Sequence, residues 1–175
     1  MLHNINVYVE SDYETLSKKA AYFFSEVLKQ YPTSSYGFAT GSTPLGMYEA
    51  IKKMHESKLI DLSQITAFNL DEYFPISSDN PQSYQRYMAE NLFDAVSLPL
   101  ESRNIPRGDA ENPKEEAKAF EEKIKASGGI ELQILGIGHN GHIGFNEPGD
   151  SFSKQTDYIA LDENTIQNNA RFFDS

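Results

Sequence analysis

The sequence predicts an α/β protein with a three-layer, Rossmann-like fold, in which helices cover both faces of a mostly parallel sheet. Short runs of β-branched and aromatic residues alternate with longer segments whose apolar residues recur at helical spacing. The predicted strands are apolar almost throughout, which is typical of strands buried on both faces of a parallel sheet. Helices between such strands supply the crossover connections that a parallel sheet requires.

In the first half of the chain, two strands each precede a helix. Ile5–Val9 is a β-branched run and is predicted as the first strand. Asp12 offers an N-cap oxygen to an amphipathic helix over about residues 13–30. The second strand, Tyr36–Ala39, leads through a short turn to a helix that begins at Pro44, where the missing N–H of proline costs no hydrogen bond.

The second half repeats the alternation. Ile65–Leu70 is predicted as the third strand, and a helix follows over about residues 83–93. After a loop with a short extended piece near Ile105, Pro113 opens a helix that the glycines at 128 and 129 end. Leu132–Ile137 is a further buried strand, and a glycine-rich loop follows it.

Length and composition favour one soluble domain. The chain has 175 residues, with 15 basic and 26 acidic side chains, and its formal charge is therefore −11. This balance argues against nucleic acid or a membrane as partner, since both are polyanionic. The absence of cysteine excludes disulfides, thiolate metal sites and a cysteine nucleophile. No apolar run has the length of a membrane span and no signal peptide is evident, so a cytoplasmic location is expected.

Three unusual segments lie at the carboxyl ends of predicted strands. These segments are Thr40–Pro44, Asp71–Tyr73 and Gly138–Glu147. In open α/β sheets, ligands bind in the crevice beyond the carboxyl ends of the strands. The three segments are therefore expected to converge on one site.

The segment Thr40–Pro44 joins a strand to the start of a helix, which favours an anion. Gly41 permits close approach of the backbone to a ligand, and free N–H groups add to the positive end of the helix dipole. The hydroxyls of Thr40, Ser42 and Thr43 supply further donors. An ordinary N-cap turn explains the same residues, because serine and threonine cap many helices.

Two adjacent acids, Asp71 and Glu72, follow the third strand. A carboxylate in such a place must stay solvated or meet a partner, so one of them is a candidate general base. Asp71 is favoured because it directly leaves the apolar strand. For Glu72, an ordinary loop acid is the favoured interpretation, because the chain has 26 acids.

The glycine-rich loop holds two of the four histidines. His142 lies among glycines, five residues before Glu147, and a carboxylate that accepts an imidazole proton fixes the tautomer of the ring. A metal site through His139, His142 and Glu147 is the competing interpretation, but no familiar ligand spacing supports it. His139 is also explained by hydrogen bonding within the loop.

Near the end of the sequence, Arg171 stands between apolar residues. A guanidinium can bind a phosphate through two parallel hydrogen bonds, but a surface ion pair explains the same residue equally well.

Together these segments resemble the glucosamine-6-phosphate deaminase family. The resemblance covers essentially the whole chain in the family's order, and it rests on four stretches: Thr40–Pro44, Phe68–Tyr73, Gly136–Pro148 and Asn169–Asp174. It implies conversion of glucosamine 6-phosphate and water to fructose 6-phosphate and ammonia, without a metal or organic cofactor. By the same resemblance, Asp71 would carry a proton between carbons 2 and 1, His142 would open the sugar ring, and Glu147 would orient His142.

The resemblance also implies binding roles. The loop of residues 40–43 would hold the phosphate together with Arg171, while Glu72 and Gly141 would contact the substrate. Family members carry Asp or Asn at the place of Asn140, so this residue is expected to support His142 by hydrogen bonding. Members of the family continue beyond the Arg-Phe-Phe-Asp stretch, and a lysine there helps to bind phosphate. Residues 1–175 are therefore expected to form a single domain that is incomplete at its C-terminal end.

Two alternatives remain open from the sequence. The 6-phosphogluconolactonase family has a similar phosphate loop and Gly-His loop. Its usual sequence, however, has Asp-Glu-Arg where this chain has Asp71-Glu72-Tyr73, and it differs again at Gly144–Pro148. The other alternative is a protein that binds the sugar phosphate without catalysis, which would be either a sensor like the regulators that reuse this domain or a truncated fragment. Such regulators usually add a DNA-binding segment, and none is visible here.

Overall fold

A computed structural model of the chain describes residues 5–149 and 155–161. Its sheet has four parallel strands: β1 (Ser35–Phe38), β2 (Thr66–Asn69), β3 (Arg103–Asn104) and β4 (Leu132–Gln133). Four α-helices connect and cover them: α1 (Tyr13–Gln30), α2 (Leu45–Glu56), α3 (Tyr84–Met88) and α4 (Pro113–Ala126). A π-helical turn, Ala89–Phe93, extends α3, and a 3₁₀ turn, Leu100–Ser102, precedes β3.

The spatial order of the strands is β3-β2-β1-β4. The register aligns Phe38 of β1 with Asn69 of β2, and Gly37 with both Phe68 and Gln133. The chain thus runs outward from β1 to β3 and then returns to place β4 on the other side of β1. Such a reversal opens a crevice between β1 and β4, which is where α/β sheets of this kind bind ligands.

Helices cover both faces of the sheet, as the sequence predicted. On one face, Phe38 packs against Phe24 of α1 and against Phe93 of the π-helical turn, with ring centroids 5.9 and 5.6 Å apart. On the other face, Phe68 packs edge-on against Phe120 of α4 at 5.8 Å. Because neighbouring residues of a strand point to opposite faces, a short run of apolar residues fills both layers of the core.

The helix ends follow the chemistry of the sequence. Asp12 caps α1 by accepting a hydrogen bond from Thr15 N at 2.8 Å, and the helix spans the predicted residues. Asn112 caps α4, which has Pro113 in its first turn. The glycines at 128 and 129 follow with φ of +87° and +93°, which is the left-handed backbone that ends a helix.

The prediction of a strand at Ile5–Val9 is wrong within the described residues. Ile5, Val7 and Val9 are 79 to 87% exposed, and no described strand lies beside them. The segment instead packs over α1, where the Tyr8 and Phe23 rings lie 5.0 Å apart. A β-branched run becomes a strand only where a neighbour pairs with its backbone N–H and C=O groups, and sequence pattern alone does not report that neighbour.

The predicted strand Leu132–Ile137 pairs only over β4. Its last hydrogen bond to the sheet runs from Ile134 N to Gly37 O at 2.9 Å. Beyond that point the chain leaves the sheet, and Leu135 and Ile137 are exposed. Among the described helices, none combines the length and the apolar character that crossing a membrane requires.

Candidate active site

Three loops meet at the carboxyl edge of the sheet, at the crevice between β1 and β4. Residues 40–44 follow β1, residues 71–73 follow β2, and residues 138–149 follow β4. Gly144 lies against Leu70 and Asp71, so the glycine-rich loop folds back over the end of β2. The structure therefore brings the loop after β4 into direct contact with the residues that follow β2. The loop after β1 lies next to both, because β1 stands between β2 and β4 in the sheet.

Asp71 occupies a partly desolvated position at this edge. Burial, and after it the negative charge of Glu72, raises the pKa of the Asp71 carboxyl to about 7. A carboxyl group with such a pKa exists in both protonation states near neutral pH. It can therefore accept a proton from carbon and return it, which a carboxyl of ordinary pKa does less readily.

Asn69, the last residue of β2, has a 1% exposed side chain two residues before Asp71. Neither its amide nitrogen nor its amide oxygen has a hydrogen-bond partner among the described residues. An unpaired buried amide costs stability, and such groups concentrate where structure serves function. Asn69 therefore lies where a site at the carboxyl edge of the sheet is expected.

Glu72 faces backbone rather than the crevice. Its carboxylate accepts hydrogen bonds from the backbone N–H groups of Tyr73, Tyr84 and Gln85 at 2.9, 3.0 and 3.1 Å. Burial raises the pKa of Glu72, and these hydrogen bonds act in the opposite direction. The observed contacts give Glu72 a structural role at the start of α3 and, through its charge, an influence on Asp71.

An aromatic cluster joins the loop after β2 to the glycine-rich loop. The Tyr73 ring lies 4.9 Å from Tyr84 and 5.1 Å from Phe145, and Tyr84 stacks on Phe145 at 6.0 Å. The Tyr84 hydroxyl donates to the Tyr73 hydroxyl at 3.1 Å. Sequence reasoning missed this cluster, because its members belong to three separate segments whose contacts no spacing reveals.

His142 and Glu147 are connected through Asn140. Asn140 Oδ1 lies 2.7 Å from Nδ1 of His142, and Asn140 Nδ2 donates to Glu147 at 2.5 Å. Since an amide oxygen only accepts, this hydrogen bond assigns the proton to Nδ1 and leaves Nε2 as an acceptor. A β-carbon at Gly138 would overlap the imidazole, so glycine is required there for the ring to occupy its place. The sequence predicted support from both residues but not their order.

The loop after β1 is exposed and leads directly into the N-terminus of α2. Gly41 has φ of +98°, a left-handed conformation that favours glycine, although a side chain there would meet nothing within 4 Å. Gly41, Ser42 and Thr43 are exposed, and α2 begins immediately after Pro44. The positive end of the α2 dipole therefore lies behind the loop.

A cavity of about 820 Å³ adjoins Asp71 on the α4 side of the sheet. The segment 155–161 forms part of its wall, and the Thr156 N–H and hydroxyl both donate to Glu121 of α4, at 3.0 and 3.1 Å. Tyr158 closes the same wall through an edge-on contact with Phe74 at 5.7 Å. Asp71 thus borders this open cavity as well as the crevice.

The structure says less about the other predicted site residues. Arg171 and the stretch Asn169–Asp174 lie outside the described residues. His139 is exposed, and Gly141 turns the loop with φ of +91°. In the described part of the chain, no group of three or more His, Asp or Glu side chains is arranged to hold a metal ion.

Comparison with known proteins agrees with these motifs. A family model described as glucosamine-6-phosphate isomerases/6-phosphogluconolactonase matches residues 11–163. The chain is 48% identical over 171 residues to a glucosamine-6-phosphate deaminase of Alkaliphilus metalliredigens, covering 98% of this chain and 71% of the relative. It is 51% identical over 167 residues to the enzyme of that name from Alkaliphilus oremlandii, covering 95% and 69%.

Solved structures show the same relationship. A monomeric glucosamine-6-phosphate deaminase superposes with a TM-score of 0.93 at 40% identity, over 98% of this chain and 71% of that chain. A 6-phosphogluconolactonase from Thermotoga maritima superposes with a TM-score of 0.62 at 22% identity, over 79% and 61%, and so shares the fold. The chain belongs to the glucosamine-6-phosphate isomerase/6-phosphogluconolactonase family.

Proposed function

We propose that the chain is a glucosamine-6-phosphate deaminase, which converts glucosamine 6-phosphate and water to fructose 6-phosphate and ammonia. The observation that carries this proposal is the position of Asp71. Its carboxyl group has a pKa raised to about 7 and lies against Gly144, in the loop that holds His142. A perturbed carboxyl group and an oriented imidazole on adjoining loops supply a base and an acid at one sheet edge.

Asp71 is the proposed proton carrier for the isomerisation. It takes a proton from carbon 2 of the open-chain amino aldehyde, which leaves an enolamine, and it delivers a proton to carbon 1, which leaves an imine at carbon 2. Water then adds to carbon 2, and ammonia leaves as the ketone forms. A positioned acid–base group of this kind contributes about 10²- to 10⁴-fold in rate.

His142 is proposed to open the sugar ring. With its Nδ1 hydrogen-bonded to Asn140, the ring offers Nε2 to accept the anomeric hydroxyl proton and to return it to the ring oxygen. Asn140 and Glu147 act as positioning residues, since they hold the tautomer and the orientation of the imidazole.

The phosphate group is assigned to the loop of residues 40–43. Backbone N–H groups, hydroxyls and the start of α2 provide donors there, and Arg171 is the proposed cationic partner. A net charge of −11 does not oppose this assignment, because a small anion responds to the local field rather than to the charge of the whole chain. Glu72 and Gly141, expected to contact substrate, stay predictions, as do the cytoplasmic location and the absence of a cofactor.

The lactonase alternative is less supported. The two Alkaliphilus deaminases are 48% and 51% identical to this chain over the aligned residues, whereas the lactonase of known structure is 22% identical. Tyr73, which stands where lactonases usually have arginine, packs its ring between Tyr84 and Phe145. A binding-only role is disfavoured by the raised pKa of Asp71, because perturbed carboxyl groups in clefts are typical of catalysis.

Parallel assays on the purified chain test the proposal. One measures ammonia released from glucosamine 6-phosphate, and the other measures acid released from 6-phosphogluconolactone. Ammonia release that is saturable in the amino sugar, with no acid release above background, supports the deaminase. Acid release without ammonia would replace it with the lactonase, and binding of glucosamine 6-phosphate with neither product would leave a binding domain.

A further inference from the structure

The loop after β1 is held by tyrosines from three helices. Five successive residues, 39 to 43, each lie against a tyrosine hydroxyl. The four tyrosines are Tyr13 of α1, Tyr48 of α2, and Tyr84 and Tyr87 of α3. This arrangement uses four of the ten tyrosines in the chain and serves a loop of five residues.

Tyr48 anchors the entrance of the loop. Its buried hydroxyl donates to the Ala39 carbonyl at 2.5 Å and accepts from the Ala39 N–H at 3.2 Å. Next along the chain, the Thr40 side chain lies beside the Tyr84 hydroxyl, which in turn donates to Tyr73. The start of the loop is thereby tied to the aromatic cluster next to Asp71.

Tyr87 and Tyr13 hold the carbonyl groups of the exposed part. The Tyr87 hydroxyl donates to the Gly41 carbonyl at 2.5 Å. The Tyr13 hydroxyl is shared between the carbonyls of Thr43, at 2.9 Å, and Ser42, at 3.2 Å. It also accepts a hydrogen bond from the Gly46 N–H at 2.8 Å, in the first turn of α2.

These contacts fix the direction of the N–H groups. In a trans peptide the carbonyl of one residue points away from the N–H of the next. Because Tyr87 holds the Gly41 carbonyl, the Ser42 N–H points to the opposite side of that peptide. Because Tyr13 holds the Ser42 carbonyl, the Thr43 N–H likewise points away from Tyr13. Both N–H groups are thus directed away from the tyrosines before any ligand binds.

We propose that Tyr13 and Tyr87 are positioning residues, whose hydroxyls preorganise the Ser42 and Thr43 N–H groups to bind the phosphate of the substrate. This inference rests on the proposed function, since it concerns the phosphate end of that substrate. A loop already held in its binding shape loses little conformational entropy on binding, so affinity for phosphate is higher than in a loose loop. The pKa of Tyr87, raised to about 12 by burial, keeps its hydroxyl a donor at neutral pH.

The test compares the 175-residue chain with its Tyr13→Phe, Tyr87→Phe and doubly substituted variants. Phenylalanine keeps each ring and removes only the hydroxyl. Tyr22→Phe is the matched control, because Tyr22 is an exposed tyrosine of α1 that packs on Phe23, away from the loop. Inorganic phosphate is the probe, and its Kd is measured by NMR titration of the ¹⁵N-labelled protein.

We expect the Ser42 and Thr43 amide resonances of the wild-type chain to move with phosphate. Each single substitution raises the Kd about three- to tenfold, the double substitution raises it further, and Tyr22→Phe leaves it unchanged. In the ammonia assay, KM for glucosamine 6-phosphate rises with little change in kcat, a split that general destabilisation does not produce. The NMR spectra of the variants report directly that they are folded.

Two results would overturn the inference. One is a wild-type titration in which phosphate leaves the Ser42 and Thr43 amides unmoved. The other is a folded double variant whose Kd for phosphate equals that of the wild-type chain. Ammonia release is scored separately: a chain that binds phosphate through these tyrosines but releases no ammonia retains this inference and loses the proposed function.

Discussion

Gly144 lies directly over the carboxyl group of Asp71. A β-carbon at Gly144 would stand 3.2 Å from Oδ2 of Asp71 and 2.8 Å from Cδ2 of Leu70. The backbone at Gly144 is also left-handed, with φ of +60°. Space and conformation together require glycine there, and this close approach is what places the glycine-rich loop beside the proposed base.

Replacing Gly144 with alanine should therefore damage the site. The added methyl group must push the loop away from Asp71 or adopt a strained backbone, and we expect ammonia release to fall at least about tenfold with a lowered melting temperature. Gly136→Ala is the matched control in the same loop region, since its β-carbon would meet nothing within 4 Å. Equal activity of the two variants would show that the Gly144 contact does not matter for the site.

The pH dependence should report Asp71. A base must be ionised to act, so kcat/KM is expected to rise with pH through a value near 7, the pKa of the Asp71 carboxyl. The Glu72 charge contributes to that raised pKa, and Glu72→Gln should therefore shift the acidic limb to lower pH. The exposed Glu101 provides the control, because Glu101→Gln should leave the limb in place. A limb that Glu72→Gln does not move contradicts the assignment.

Asp71→Asn should stabilise the protein at alkaline pH. In the unfolded chain this carboxyl loses its proton near its ordinary pKa of 3.8, whereas in the folded protein it keeps the proton up to about 7. The folded state therefore binds more protons between these values, and the stability of the wild-type protein falls as pH rises through that window. Asp71→Asn has no carboxyl group at this position to titrate, so its stability does not fall in this way.

Melting temperatures at pH 5 and pH 8 check this prediction. We expect the melting temperature of Asp71→Asn, relative to that of the wild-type protein, to be higher at pH 8 than at pH 5. The difference should be about 2–4 °C for each kcal/mol of relieved desolvation. A difference between the two proteins that stays constant with pH would show that Asp71 titrates normally in the folded state.

Asn140→Ala should impair ring opening. The substitution removes both the hydrogen bond to His142 and the link to Glu147, which leaves the imidazole free to rotate. We expect turnover of cyclic glucosamine 6-phosphate to fall about tenfold, while an open-chain analogue that bypasses this step is affected less. His139→Ala, in the same loop but exposed, serves as the control. Equal losses on both substrates would argue against a ring-opening role for His142.

The sequence predicted the buried elements best. Helix α1 has the predicted limits, and the strands Tyr36–Ala39 and Ile65–Leu70 each lie within a residue or so of β1 and β2. Apolar periodicity and capping residues determine such elements locally, so the sequence suffices. The run Ile5–Val9 has equal β propensity, but whether it forms a strand depends on a neighbour that lies elsewhere in the chain.

The candidate site likewise has a part that the sequence predicted and a part that it did not. Asp71, His142 and the loop of residues 40–44 were predicted from glycine, acid and histidine patterns near strand ends. The tyrosines that hold the loop, and the aromatic cluster around Tyr73, were not predicted. Each of these contacts joins residues 9 to 72 positions apart, and the spacing of aromatic residues within one segment contains no information about them.

The order of the His142 network was also beyond the sequence. Glu147 was expected to orient His142, but the hydrogen bonds run from His142 to Asn140 and from Asn140 to Glu147. A loop with glycines at 138, 141 and 144 has too many accessible conformations for the spacing of its polar residues to decide which pair meets.

The initial rate of ammonia release from glucosamine 6-phosphate, measured for the wild-type chain and for Asp71→Asn at pH 8, tests the central claim most directly. The proposal predicts steady release by the wild-type chain and a loss of about 10²- to 10⁴-fold in the folded variant, whose affinity for inorganic phosphate is retained. Near-equal rates for the two proteins would contradict the role of Asp71, and a wild-type chain that releases no ammonia would contradict the deaminase function itself.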